Sequence, residues 1–119
     1  MFIDKNLTIC SPIGFKASGI HCGLKKNLLK KDLALIYSDV VASSCGVYTK
    51  NKVKGAPLIV TKHHLNNKKA QAIIINSGNA NTCNGANGLS NAKKMTQLCA
   101  KELNIKNDNV LVASTGVIG

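Results

Sequence analysis

The stretch from Ala72 to Ser114 constrains the fold more than any other part of this chain. Ala72-Ile73-Ile74-Ile75 is short, β-branched and bounded by Gln71 and Asn76, which reads as a strand. From Leu89 to Leu103 the period changes. Leu89, Ala92, Met95, Cys99 and Leu103 recur at spacings of three and four, while Ser90, Asn91, Lys93, Lys94, Gln97, Lys101 and Glu102 occupy the other faces. This predicts an amphipathic helix with Asn87 or Gly88 as its cap, ended by Asn104 in a left-handed conformation. Val110-Leu111-Val112-Ala113-Ser114 then reads as a second strand, running into Thr115-Gly116-Val117-Ile118-Gly119. A β–loop–α–β order requires a sheet with a helix laid on it, so the fold class is α/β in the broad sense, a mixed α+β chain.

The front half carries shorter signals. Phe15 to Ile20 has partial period-2 character, Leu33 to Tyr37 is an apolar run preceded by Asp32, and Val40 to Thr49 is rich in small and β-branched residues. Each is strand length. The lysine-rich segment 23–31 and the Ser38-Asp39 step read as the turns between them, giving an antiparallel meander. Pro57 suits the first turn of a short helix over residues 57–65, with Leu58, Thr61 and Leu65 on one face. The Leu58-Ile59-Val60 run fits a strand equally well.

The chain has 119 residues, which allows one domain, since domains run roughly 100–200 residues. Its net charge of +11 comes from 16 lysines against 5 acidic residues, with no arginine. Arginine does the bidentate reading of guanine and phosphate, and four aromatics supply little base stacking. The lysines are also spread from Lys5 to Lys106, so the charge reads as a solvated surface rather than a nucleic-acid partner. Cys10, Cys22, Cys45, Cys83 and Cys99 are odd in number, widely spaced and without a CxxC. They suit a reducing, cytoplasmic setting rather than disulfides or zinc. His21-Cys22 and His63-His64 lack a second half-site, so no metal is expected, and His63 and His64 are expected on the surface. No apolar run approaches a membrane span, and the N-terminal segment lacks the pattern of a secretory signal.

Two segments can carry chemistry. The loop from Asn76 to Gly88 holds five asparagines and three glycines after a strand and before a helix, the layout of phosphate-binding sites. Gly78, Gly85 and Gly88 do not make GxGxxG, and no GK[ST] follows, so the plainer reading is a rigid loop bonded to its own backbone. Ser114-Thr115-Gly116 leaves an apolar strand with a hydroxyl donor and a glycine that lets the backbone present N–H groups, a pairing suited to an oxyanion. No GxSxG, Ser/His/Asp order or carboxylate pair completes a catalytic set.

Taken in order, GFKASGIHCGLKK, KDLALIYSD, CGVYTKNKVKGAPLIV, AIIINSGNANTCNGANGL and VLVASTGVIG resemble the N-terminal part of the ornithine acetyltransferases. These are the bifunctional glutamate N-acetyltransferases of arginine biosynthesis. The likeness runs from about Gly14 to Gly119, and SGNAN and VASTGVIG are its most specific parts. Asn84 stands where the family commonly has threonine, and Gly55 where alanine is usual.

The resemblance implies a precursor that cuts itself before an internal threonine, which becomes the nucleophile of the second chain. That threonine takes acetyl from N-acetylornithine and passes it to glutamate, with acetyl-CoA a second donor in some members and no resident cofactor. The family is an α2β2 assembly, with a sandwich of sheets flanked by helices. Its oxyanion-hole pair maps onto Thr115 and Gly116. The Ala–Thr cleavage segment is absent, so residues 1–119 are expected to be the N-terminal portion of the α chain, ending before the cleavage site and inactive alone. A self-processing aminopeptidase or amidase, and a small basic nucleic-acid-binding module, are the alternatives.

Overall fold

Four strands form one sheet in the order β1-β2-β3-β4, seen in a computed structural model that describes residues 6–119. Residues 1–5, part of the segment read for a targeting signal, lie outside the described residues. The elements are β1 (Phe15–Ile20), β2 (Leu33–Ser43), α1 (Ala56–His64), β3 (Lys69–Asn79), α2 (Gly85–Leu103) and β4 (Val110–Val117). β1, β2 and β3 pair antiparallel, whereas β3 and β4 are parallel and joined by α2. A parallel pair needs a crossover, and the predicted β–loop–α–β unit supplies it.

The meander is corrected in one respect. Ser38 and Asp39 are not a turn; β2 runs through them to Ser43, and Val40 to Thr49 is not a separate strand. Ser38 is buried opposite Phe15, and the Asp39 N–H donates to the Gly14 carbonyl at 2.9 Å. Pairing with β1 overrides the turn preference of these two residues, which survives only as an irregularity in the pairing with β3 between Tyr37 and Ala42.

Both helices lie on one face of the sheet. Val110, Val112, Ala72, Ile74, Leu35 and Tyr37 point to that side, where they meet Ala56 and Val60 of α1 and Ala92, Met95, Cys99, Ala100 and Leu103 of α2. The strand alternation and the three-four helical spacing therefore select the same core. Ile36, Ile73 and Ile75 occupy the other face and are only half-buried.

α1 resolves the open choice at residues 57–65 as a helix with Pro57 in its first turn. Its inward residues are Ala56, Pro57, Val60 and His64, rather than the Leu58, Thr61 and Leu65 face. His64 is 6% exposed, so its expected surface position is wrong; only His63 is exposed. The reason lies in β4, whose outer edge is open. Thr61 Oγ1 donates to the Val112 carbonyl at 2.6 Å and accepts its N–H at 2.9 Å, while His64 Nδ1 donates to the Val110 carbonyl at 2.7 Å. α1 thus covers half of a strand edge that would otherwise invite pairing.

α2 starts at Gly85, one turn before the apolar pattern, with Asn84 at its cap rather than Asn87 or Gly88. Gly and Asn form helix poorly, so this turn depends on tertiary bonds described below. Asn104 ends the helix at φ 52°, and the Ile105 N–H closes it onto Ala100 O at 3.0 Å.

Candidate functional site

The C-terminal ends of β3 and β4 run side by side. Asn76 is in register with Ser114, Ser77 with Thr115, Gly78 with Gly116 and Asn79 with Val117. The SGN stretch expected in a loop is therefore strand, and the loop proper begins at Ala80. In sheets with parallel strands, ligands meet the chain at these carboxyl ends. Thr115 and Gly116 stand here, both exposed.

Gly78 has φ 132° and Gly116 has φ 136°. A Cβ on Gly116 would run into the backbone of Gly78 and come within 2.6 Å of the Asn79 nitrogen. Only glycine permits two strands to bend in register at so close an approach. Both residues stand exposed at the strand exit, Thr115 carrying a hydroxyl and Gly116 a backbone N–H.

The segment behind them is tied by carboxamides. Asn76, 6% exposed, accepts from the Ser114 hydroxyl through Oδ1 and donates through Nδ2 to the Asn79 carbonyl at 2.8 Å. Asn79 Oδ1 accepts the Asn81 N–H at 2.6 Å, and Asn81 Nδ2 donates to the Gly88 carbonyl in the first turn of α2 at 2.8 Å. Asn81 adopts φ 49° and its carbonyl accepts the Ala56 N–H at the start of α1 at 3.0 Å. A Cβ on Gly88 would lie 2.7 Å from Asn81 Oδ1, which is why glycine sits inside the helix there. The asparagine-rich loop is bonded largely to its own backbone and to the first turns of the helices.

A second cluster backs the site from the other side. Asp32 is 2% exposed; its Oδ1 accepts the Cys22 N–H at 2.6 Å and its Oδ2 the Lys25 N–H at 2.8 Å. Burial alone would raise its carboxyl. The N–H donors of Cys22 and Lys25, then the Cys22 thiol and His21, overcome it and hold the carboxyl well below the usual carboxylate range. Desolvation around Cys22, and the carboxylate beside it, push that thiol up, so it is a thiol at neutral pH and a poor nucleophile. The Asp32 carbonyl accepts the N–H of Ser77, the residue opposite Thr115, at 2.8 Å. His21, Cys22 and Asp32 therefore anchor the loop whose Leu24 lies over Gly78.

A cleft of about 350 Å³ opens between these clusters, reached by Cys22, Leu24, Asn76, Asn84, Met95 and Ser114. A larger one, about 710 Å³, lies at the opposite end of the strands among Tyr37, Leu103 and Lys106, away from Thr115. Among the described residues no group of three His, Cys, Asp or Glu side chains is placed to hold a metal ion, and all five cysteines are free.

Thr115 and Gly116 stand out in the sequence as candidates, whereas Asn76 and Asp32 do not. Asp32 had one visible signal, an acidic residue heading an apolar run in a chain with five acids. Asn76 had none, because its role depends on a register between residues 38 positions apart.

Residues 16–119 match the ArgJ family. The arginine biosynthesis bifunctional protein ArgJ of Oceanobacillus iheyensis is 51% identical over 118 residues, 98% of this chain and 28% of that protein. Its counterpart in Caldanaerobacter subterraneus is 52% identical over 108 residues, 91% of this chain and 26% of that protein. The chain thus spans little more than a quarter of the length of these curated relatives. The crystal structure of the arginine biosynthesis bifunctional protein of Bacillus halodurans is similar at TM-score 0.90 and 47% identity, over 93% of this chain and 58% of that one. The ornithine acetyltransferase of Mycobacterium tuberculosis, solved with ornithine, is similar at TM-score 0.90 and 34% identity, over 93% and 60%.

Proposed function

The chain belongs to the ArgJ family, and from that premise we propose that it supplies the oxyanion-stabilising segment of an acetyl transfer from N-acetylornithine to glutamate. The observation that carries this reading is the in-register bend at Gly78 and Gly116. It places Thr115 and Gly116, exposed, at the carboxyl ends of the parallel strands.

The chemistry follows from what those two residues can donate. A nucleophilic threonine adds to the acetyl carbonyl of N-acetylornithine, and the carbonyl oxygen becomes an oxyanion. The Thr115 hydroxyl and the Gly116 N–H hydrogen-bond that oxygen. Collapse breaks the C–N bond, the proton taken from the threonine hydroxyl goes to the departing ornithine amine, and acetyl-threonine remains. The amine of glutamate then adds to the acetyl-enzyme through a second oxyanion held by the same donors, and N-acetylglutamate departs. Each pre-aimed donor is worth roughly 3–4 kcal/mol of transition-state stabilisation. No resident cofactor is needed; acetyl-CoA enters, where used, as another acetyl donor.

The 119 residues contain no Ala–Thr bond, so the nucleophile belongs to the remaining length of the enzyme. This chain is the N-terminal portion of the α chain, and its partner is the β chain cut from the same precursor, in an α2β2 assembly. Support comes from the coverages: the segment fills 28% of a curated relative but 58% of a solved chain, as a precursor divided once would give. The half-buried isoleucine face then packs against a second sheet, completing the sandwich.

The test is Thr115→Ala, made in a hybrid that joins residues 1–119 to the remaining length of the Oceanobacillus relative. Turnover is expected to fall about 10²-fold or more, with assembly unchanged. Unchanged turnover overturns the assignment.

A further inference from the structure

Two strands bend at glycines in register, and a glycine bend is conformationally permissive by nature. Something beyond the ladder must select one geometry, because an oxyanion donor is useful only when held to within about 0.5 Å. Asn76 is placed to do this. It is in register with Ser114 and lies two residues before Gly78, as Ser114 lies two residues before Gly116. Its amide uses both ends: Nδ2 reaches past Gly78 to the Asn79 carbonyl, and Oδ1 accepts the Ser114 hydroxyl. A carbonyl can only accept, so the bond to Asn79 fixes which way the amide faces, and the Ser114 hydroxyl must donate. The Asn76 side chain is buried, and both bonds are partly shielded from water. Through Asn79 and Asn81 the same line of bonds continues to the first turns of both helices.

We propose that Asn76, acting through Ser114, is a positioning residue that sets the geometry of Thr115 and Gly116 for oxyanion binding. The proposal rests on the reading of Thr115 and Gly116 as the donors. Asn76 touches no reacting atom; it holds both glycine bends with one side chain.

The experiment measures kcat and KM for N-acetylornithine and glutamate in the hybrid enzyme, for Ser114→Ala, Asn76→Asp, Thr115→Ala and the Ser114→Ala/Thr115→Ala pair. Asn76→Asp keeps the volume but turns an acceptor oxygen toward the Asn79 carbonyl. Ser114→Ala removes one hydroxyl at a half-buried position, and it stands as the test where Asn76→Asp fails to assemble. Ser114→Ala is expected to lower kcat about 10-fold with KM within two-fold, since displacement of a donor acts on the chemical step. In the Thr115→Ala background the same change is expected to cost clearly less than about 10-fold, because only the Gly116 donor is left to displace and residues acting as a unit are non-additive. Multiplicative loss in the pair, or a Ser114→Ala enzyme with wild-type kcat, overturns the proposal. If Thr115→Ala itself keeps full turnover, the functional reading fails instead. A slow Thr115→Ala beside an unaffected Ser114→Ala sinks the positioning role alone.

Discussion

Asp32 shows what a single residue does in this fold. Its carboxylate receives two backbone N–H groups from the 22–25 loop, and its carbonyl receives the N–H of Ser77, opposite Thr115. Because its folded pKa is depressed, the group contributes stability that is fully present above its unfolded value of about 4 and is lost as pH falls below it. Thermal melts at stepped pH are therefore expected to show the wild type losing Tm below about pH 4. Asp32→Asn should start lower at neutral pH and change less on acidification; parallel curves for the two proteins would refute the linkage. None of this was legible from composition. An aspartate ahead of an apolar run looks like a turn residue until the backbone donors that surround it are in place.

Among the elements, α2 and its two flanking strands could be read from the sequence because their periods are long and clean. The misreadings cluster where Ser, Asp and Asn occupy regular structure. Ser38 and Asp39 lie inside β2, Asn76 to Asn79 inside β3, and Gly85 to Gly88 inside α2. In each case the residue type favours a turn, and strand pairing, or in α2 the Asn81 carboxamide bond to Gly88, prevails. α1 makes the same point at the edge of β4. Thr61 gives both a donor and an acceptor to Val112, so a near-isosteric Thr61→Val leaves a buried N–H and carbonyl unpaired. A loss of about 1–3 kcal/mol is expected in urea unfolding, together with greater self-association through the bared edge. A variant as stable as the wild type, and no more prone to self-associate, would show that the edge needs no cover.

For the molecule as a whole, the +11 charge says little about partners. The lysines are dispersed, and the polar constellation at the ends of β3 and β4 is built from carboxamides and hydroxyls. Among the described residues no helix is long and apolar enough to cross a membrane. Thr115 and Gly116 give a weak signal by themselves, a hydroxyl and a glycine leaving an apolar strand, which the family resemblance sharpens; a Thr-Gly at a strand end is an ordinary turn until its partner glycine on the next strand is known. Incubated alone with N-acetylornithine and glutamate, these 119 residues are expected to release no ornithine above the uncatalysed rate, and measurable release would contradict the assignment of the nucleophile to another segment.

The most direct test of the central claim, that Thr115 and Gly116 serve the oxyanion of both half-reactions, is single-turnover kinetics of the Thr115→Ala hybrid. Ornithine release and N-acetylglutamate formation are followed separately. Both are predicted to slow by about 10²-fold and in the same proportion, because each passes through an oxyanion at the same position. Slowing of one half-reaction with the other untouched, or of neither, would contradict the account.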